Sequence, residues 1–153
     1  MIPMPPEQVP LPDLGAVRSL GRRIATVLEV GDVVALSGDL GAGKTTLARM
    51  ILESLGYEGE VPSPTFTILE TYDPPALRMP LVHADFYRLR SPDEAAELGL
   101  ADYRDGRALL AEWPEKAGDF TGEGSYLGIH LTTGDTGRMA RIDQGPGWLE
   151  RTW

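Results

Sequence analysis

Between residues 38 and 45 the chain reads Gly38-Asp39-Leu40-Gly41-Ala42-Gly43-Lys44-Thr45, which satisfies every fixed position of the G-x-x-x-x-G-K-[ST] phosphate-binding pattern. No other stretch constrains the fold as tightly. Glycines let the backbone curl until successive N–H groups converge, and the helix that follows turns its positive end toward the same point. Such a nest takes a polyphosphate. Lys44 is then placed to reach the β- and γ-phosphates, and the Thr45 hydroxyl is placed as a Mg²⁺ ligand. A Gly-rich turn is the bland alternative, but the complete pattern arises by chance on the order of a few times per thousand chains of this length.

The pattern requires a strand before it and a helix after it, and the flanks supply both. Val33 to Ser37 is a short apolar run bounded by a Gly31-Asp32 turn, the mark of a strand buried on both faces. Thr46, Leu47, Ala48, Met50, Ile51 and Leu55 continue a helix that ends near Gly56. Upstream, Met1 to Pro12 is Pro-rich and extended. Asp13 caps a helix carrying Leu14, Val17, Leu20, Ile24, Val27 and Leu28 on one face.

Downstream, Val61 to Pro64 is too rich in proline for regular structure. Thr65 to Thr71 alternates as a strand, and Leu81 to Phe86 is the next. Turn chemistry at Asp73-Pro74-Pro75 joins the two without a helix, so they are expected to pair antiparallel. Ser91 is the expected cap of a helix with Pro92 at its first position, ending at Leu98-Gly99, and a further helical turn covers Asp102 to Arg104. Ala108 to Ala111 reads as another buried strand, and Tyr126 to Thr132 with Arg138 to Ile142 as a hairpin. The expected class is α/β: a P-loop NTPase-like sheet with a mostly parallel core, antiparallel hairpin additions and helices on both faces. A single P-loop domain is expected over residues 1–153, with residues 1–10 and 144–153 the loosest; the tail from Gln144 is either disordered or docked.

Net charge is −9, and of 14 basic residues only Lys44 and Lys116 are lysines. This balance argues against unaided binding to nucleic acid and demands a local electropositive pocket for an anionic nucleotide. There is no cysteine, hence no disulfide or thiolate metal site. No stretch approaches the ~18 apolar residues of a membrane helix, and none resembles a signal peptide. A cytoplasmic protein is expected.

Phosphate chemistry needs more than a loop: an acid for Mg²⁺ or its waters, and a group that orients the attacking oxygen. In open α/β sheets ligands gather at the carboxyl ends of strands, and two apolar runs end there in an acid, Leu81 to Asp85 and Ala108 to Glu112. Glu112 is assigned the Mg²⁺-side role. Asp85 is assigned either the second metal-shell acid or the water-orienting base. Thr65 and Thr67 sit where a hydroxyl senses a γ-phosphate in switch segments, or else are plain strand threonines. His83 reads as a packed strand histidine ahead of a general base, Trp113 as rim packing ahead of a residue that closes the site, and Arg88 and Arg90 as surface ion pairing or a contact to phosphate or a partner. Arg138 and Arg141 in the last hairpin are candidates to approach the nucleotide.

With Gly38 to Thr46, Ser63-Pro64-Thr65-Phe66, His83 to Leu89 and Glu112-Trp113-Pro114-Glu115 in this order, the chain resembles the bacterial TsaE (YjeE) family, small P-loop ATPases of tRNA threonylcarbamoyladenosine biosynthesis. The resemblance spans residues 11 to 142. It implies that Gly41, Ala42, Gly43, Lys44, Thr45 and Thr46 hold the triphosphate of ATP, that Thr45 and Glu112 bind Mg²⁺, that Asp85 matters for hydrolysis and that the Thr65 loop is switch-like. It also implies partners, the TsaD and TsaB proteins, whose complex transfers a threonylcarbamoyl group to adenosine 37 of tRNAs. The expected function is thus Mg²⁺-dependent ATP hydrolysis in service of that complex, with tRNA contacted indirectly. The alternatives are a small-molecule or nucleoside kinase and a nucleotide-switched binding module with little hydrolysis.

Overall fold

Alternation of apolar residues along each strand sets the layers. The computed structural model describes residues 7–61, 69–135 and 137–153. In chain order these form β1 (Glu7–Leu11), α1 (Leu14–Val27), β2 (Val33–Gly38), α2 (Lys44–Ser54), β3 (Leu69–Tyr72), β4 (Leu81–Asp85), α3 (Pro92–Glu97), α4 (Leu100–Arg104), β5 (Ala108–Glu112), a 3-10 turn (Pro114–Lys116), β6 (Tyr126–Gly134), β7 (Gly137–Gln144) and α5 (Pro146–Leu149). The strands make one sheet in the order β1-β7-β6-β2-β5-β4-β3. Its centre is parallel: β2 pairs with β5 and β6, and β4 with β5. Antiparallel pairs flank it, β3 with β4 and β6 with β7, and β1 pairs with β7.

Val34 and Leu36 of β2 point into one apolar layer with Leu20 and Ile24 of α1 and Leu47 and Ile51 of α2. Val33 and Ala35 point the opposite way, into a layer with Val82, Ala84, Ala95 of α3 and Leu100 of α4. Helices therefore cover both faces, and β2 is buried throughout, as its continuous apolar run requires. The expected α/β class with a parallel core and hairpin additions is what the chain adopts.

Two local expectations needed adjustment. Glu7 to Leu11 is a strand, with Pro10 opposite Met139; at a sheet edge the missing N–H of a proline costs no ladder bond. Ser91 occupies the N-cap of α3 but makes no side-chain cap bond; instead Glu94 reaches back to accept from the Arg90 N–H (3.1 Å). By contrast Asp13 caps α1 as its sequence dictates, accepting from the Ala16 N–H at 2.8 Å. The four-residue strand β3 covers the end of the run that starts at Thr65; Thr65 and Thr67 themselves lie outside the described residues, as does Thr136 of the hairpin turn.

The C-terminal segment is docked. Trp148 is fully buried, and its indole N–H donates to the Ser125 carbonyl (2.8 Å). Arg151 lies over the Trp148 ring and grips the buried Asp32 carboxylate with two bonds, 2.6 and 2.9 Å. Asp32 also accepts the Glu29 N–H (2.7 Å), so the clamp ties the tail to the turn that launches β2. Arg151→Ala is expected to cost about 3 kcal/mol, because it strands a buried charge; the urea midpoint, with an unchanged slope, measures it.

Candidate functional site

The loop from Gly38 to Gly43 bends where it does because its glycines accept left-handed backbone. Gly38, Gly41 and Gly43 have φ of 137°, 81° and 106°. A Cβ on Gly38 would collide with the carbonyl oxygen of Leu131, so Gly38→Ala is expected to destabilise the fold by roughly 1–3 kcal/mol, read from thermal unfolding. Gly43 is the N-cap of α2 and offers no side chain to cap it. The first-turn N–H groups of Lys44, Thr45 and Thr46 are left for an anion, at the positive end of the helix dipole.

Parallel register brings the acids to this loop. Leu36, just before the loop, stands beside Glu112, and Glu112 beside Asp85. Leu81, Ala108 and Leu110 face the α1–α2 layer, and by two-residue alternation His83, Asp85 and Glu112 share that face, the one from which α2 begins. A cleft of about 340 Å³ results, lined by Leu40, Gly41, Gly43, Lys44, Thr45 and Thr46 from the loop and helix, by Asp85, Tyr87 and Arg88 after β4, by Glu112 and Trp113 after β5, and by Arg138 at the start of β7.

Within it the polar groups are bonded to one another. The Thr45 hydroxyl donates to Glu112 Oε1 at 2.6 Å. Glu112 Oε2 lies 2.7 Å from His83 Nε2, and Glu112 and His83 are 1% and 0% exposed. Lys44 Nζ donates to the carbonyls of Gly38 (2.7 Å) and Asp39 (2.8 Å), and sits 4.3 Å from the centre of the Trp113 ring. Burial pulls the Lys44 ammonium below its ordinary value, against the upward pull of the Glu112 and Asp85 carboxylates. Burial also raises the Asp85 carboxyl above its usual range, opposed by the Tyr87 N–H that donates to Oδ1 and reinforced by Glu112.

Trp113 is held in the left-handed region, φ 56°, a conformation that costs a bulky residue about 1–3 kcal/mol and is found at functional sites. Its N–H bonds the Leu36 carbonyl, and its ring stacks obliquely on Tyr87. Its place over Lys44 puts it in the cleft lining, on the side of the less favoured of its two sequence readings.

Of the residues singled out in sequence, the fold brings Lys44, Thr45, Thr46, Gly41, Gly43, Asp85 and Glu112 to one cleft; buried Ala42 packs beneath the loop. Arg88 and Arg138 line the cleft, whereas Arg141 lies near Asp143 (3.6 Å). His83 is the residue that sequence reasoning set aside. Its signal was the His83-x-Asp85 spacing, which puts both residues on one face of a strand.

A parallel-centred α/β sheet, a glycine loop between β2 and α2, and two carboxylates at the ends of the neighbouring strands define a P-loop type of protein. More specifically, the family model described as threonylcarbamoyl adenosine biosynthesis protein TsaE matches residues 11–141, and the chain belongs to that family. A Streptomyces coelicolor protein named tRNA threonylcarbamoyladenosine biosynthesis protein TsaE is 43% identical over 137 residues, 88% of this chain and 93% of that one. Its Haemophilus influenzae namesake is 39% identical over 76% of this chain and 77% of its own. The crystal structure of Bacillus subtilis YdiB superimposes with a TM-score of 0.71 at 29% identity, covering 94% of this chain and 90% of that one. No helix among the described residues is long and apolar enough to cross a membrane.

Proposed function

We propose that this chain is the Mg²⁺-dependent, ATP-hydrolysing component of the bacterial system that makes N6-threonylcarbamoyladenosine in tRNA, acting in the cytoplasm on the TsaD–TsaB complex. The observation that carries the proposal is the 2.6 Å bond between the Thr45 hydroxyl and the Glu112 carboxylate, which joins the P-loop helix to the end of the neighbouring strand. Family membership supports the pathway.

The donor set fits Mg²⁺. The Thr45 hydroxyl and the Glu112 carboxylate are hard oxygen ligands, and the described residues contain no cluster of three or more His, Asp or Glu side chains for an all-protein cage. That is the manner of Mg²⁺, which binds through one or two protein oxygens and keeps waters and phosphate oxygens. Bound there, the ion would neutralise charge on the phosphate oxygens. The N–H groups of Gly41, Gly43, Lys44, Thr45 and Thr46 and the Lys44 ammonium bind and orient the triphosphate. Asp85, at the end of β4 beside Glu112, is the group that orients the attacking water or serves as a second acid of the metal shell. A switch role for the Thr65 loop remains part of the proposal and lies outside the described residues.

The test measures phosphate release by the purified chain, with and without TsaD and TsaB, beside restoration of threonylcarbamoylated tRNA in an extract depleted of this protein. Hydrolysis with partners present, together with restored modification, is expected. Phosphate transfer to a small acceptor instead of water would make it a kinase. Nucleotide binding without hydrolysis, partners included, would make it a switched binding module.

A further inference from the structure

Glu112 uses both carboxylate oxygens, and only one of them faces the P-loop. Oε1 takes the Thr45 hydroxyl and Oε2 takes His83 Nε2. A carboxylate only accepts, so the imidazole proton sits on Nε2. His83 Nδ1 is buried without a hydrogen-bond partner among the described residues, and among them the one side-chain hydrogen bond of the ring is to Glu112. Packing alone gives no reason for an imidazole here: an aliphatic side chain at this wholly buried strand position would avoid an unpartnered nitrogen.

We propose that His83 is a positioning residue for the metal side of the site: by donating from Nε2 to Glu112 Oε2 it fixes the carboxylate so that Oε1 is presented to Thr45 and to a divalent cation. This rests on the Mg²⁺ site proposed above. Without the donor, the Glu112 side chain regains rotational freedom about its terminal bonds. A flexible carboxylate is a weaker ligand for an ion that demands near-ideal octahedral geometry. The phosphate nest, built from backbone N–H groups and Lys44, does not involve His83.

The two contributions separate in a binding titration. A fluorescent, non-hydrolysable ATP analogue is bound to the full chain in EDTA and then across a Mg²⁺ series. His83→Leu removes the donor at similar volume. It is expected to raise the Mg²⁺ concentration for half-maximal tightening roughly tenfold to a hundredfold, the usual effect of losing a group that orients a metal ligand. Affinity in EDTA should stay within about threefold of wild type, because the phosphate contacts are kept. His83→Gln, whose amide nitrogen can occupy the place of Nε2, should restore the wild-type midpoint, and His83→Asn, which is too short, should not.

An unchanged Mg²⁺ midpoint in folded His83→Leu would overturn the positioning role, as would equal midpoints for His83→Gln and His83→Asn, a comparison that holds even where the leucine variant fails to fold. A wild-type chain whose nucleotide affinity ignores Mg²⁺ would instead overturn the metal site itself. The failures of the two proposals thus read differently.

Discussion

Lys44→Ala is expected to weaken binding of an ATP analogue by at least about 100-fold, the equivalent of two charge-assisted hydrogen bonds. The size follows from what surrounds the ammonium. The carboxylates of Glu112, Asp85, Glu115 and Asp39 all act on it, in a chain of net charge −9. Removing this lysine leaves only Arg88 and Arg138 of the cleft lining to offset those carboxylates against a triphosphate. In the free protein the substitution also unpairs the Gly38 and Asp39 carbonyls that Lys44 satisfies. Calorimetric titration checks the prediction; affinity within tenfold of wild type in a folded variant would remove Lys44 from the binding role.

Glu112→Ala should act on turnover more than on binding. Both of its oxygens are engaged, so the substitution unpairs Thr45 and His83 together and removes the proposed metal carboxylate. A fall in Mg²⁺-dependent ATPase activity on the order of 100-fold is expected, a few kcal/mol of lost charge stabilisation. Binding in EDTA should be nearly unchanged, since the nest of N–H groups and Lys44 remains. Full ATPase activity in this variant would sink the metal assignment. The pair of variants separates phosphate capture from catalysis, as the geometry divides them: Lys44 bonds the loop, and Glu112 belongs to the neighbouring strand.

Most of the architecture was legible in the order of residues, for reasons that are local. Glycine spacing from Gly38 to Gly43 dictates a loop of left-handed backbone, and the apolar run Val33 to Leu36 dictates a strand buried on both faces. Asp13 caps its helix through contacts three residues away. The edge strand at Glu7 was harder to read, since its pairing with β7 depends on a partner more than a hundred positions distant. The docking of the tail was left open for the same kind of reason, because the Arg151–Asp32 clamp joins residues 119 positions apart.

In the candidate site, the sequence by itself determined the nest, the lysine and hydroxyl that follow it, and the two acids that end apolar strands, because each is a property of one short segment. Only the tertiary structure decided that Glu112 is the acid bonded to Thr45, that Trp113 covers Lys44 and that His83 lies behind Glu112. Those facts are set by which strands become neighbours and in what register. Parallel pairing of β2, β5 and β4 aligns the carboxyl ends of three strands that lie far apart along the chain. No local pattern encodes that alignment; burying both faces of the sheet beneath helices selects it.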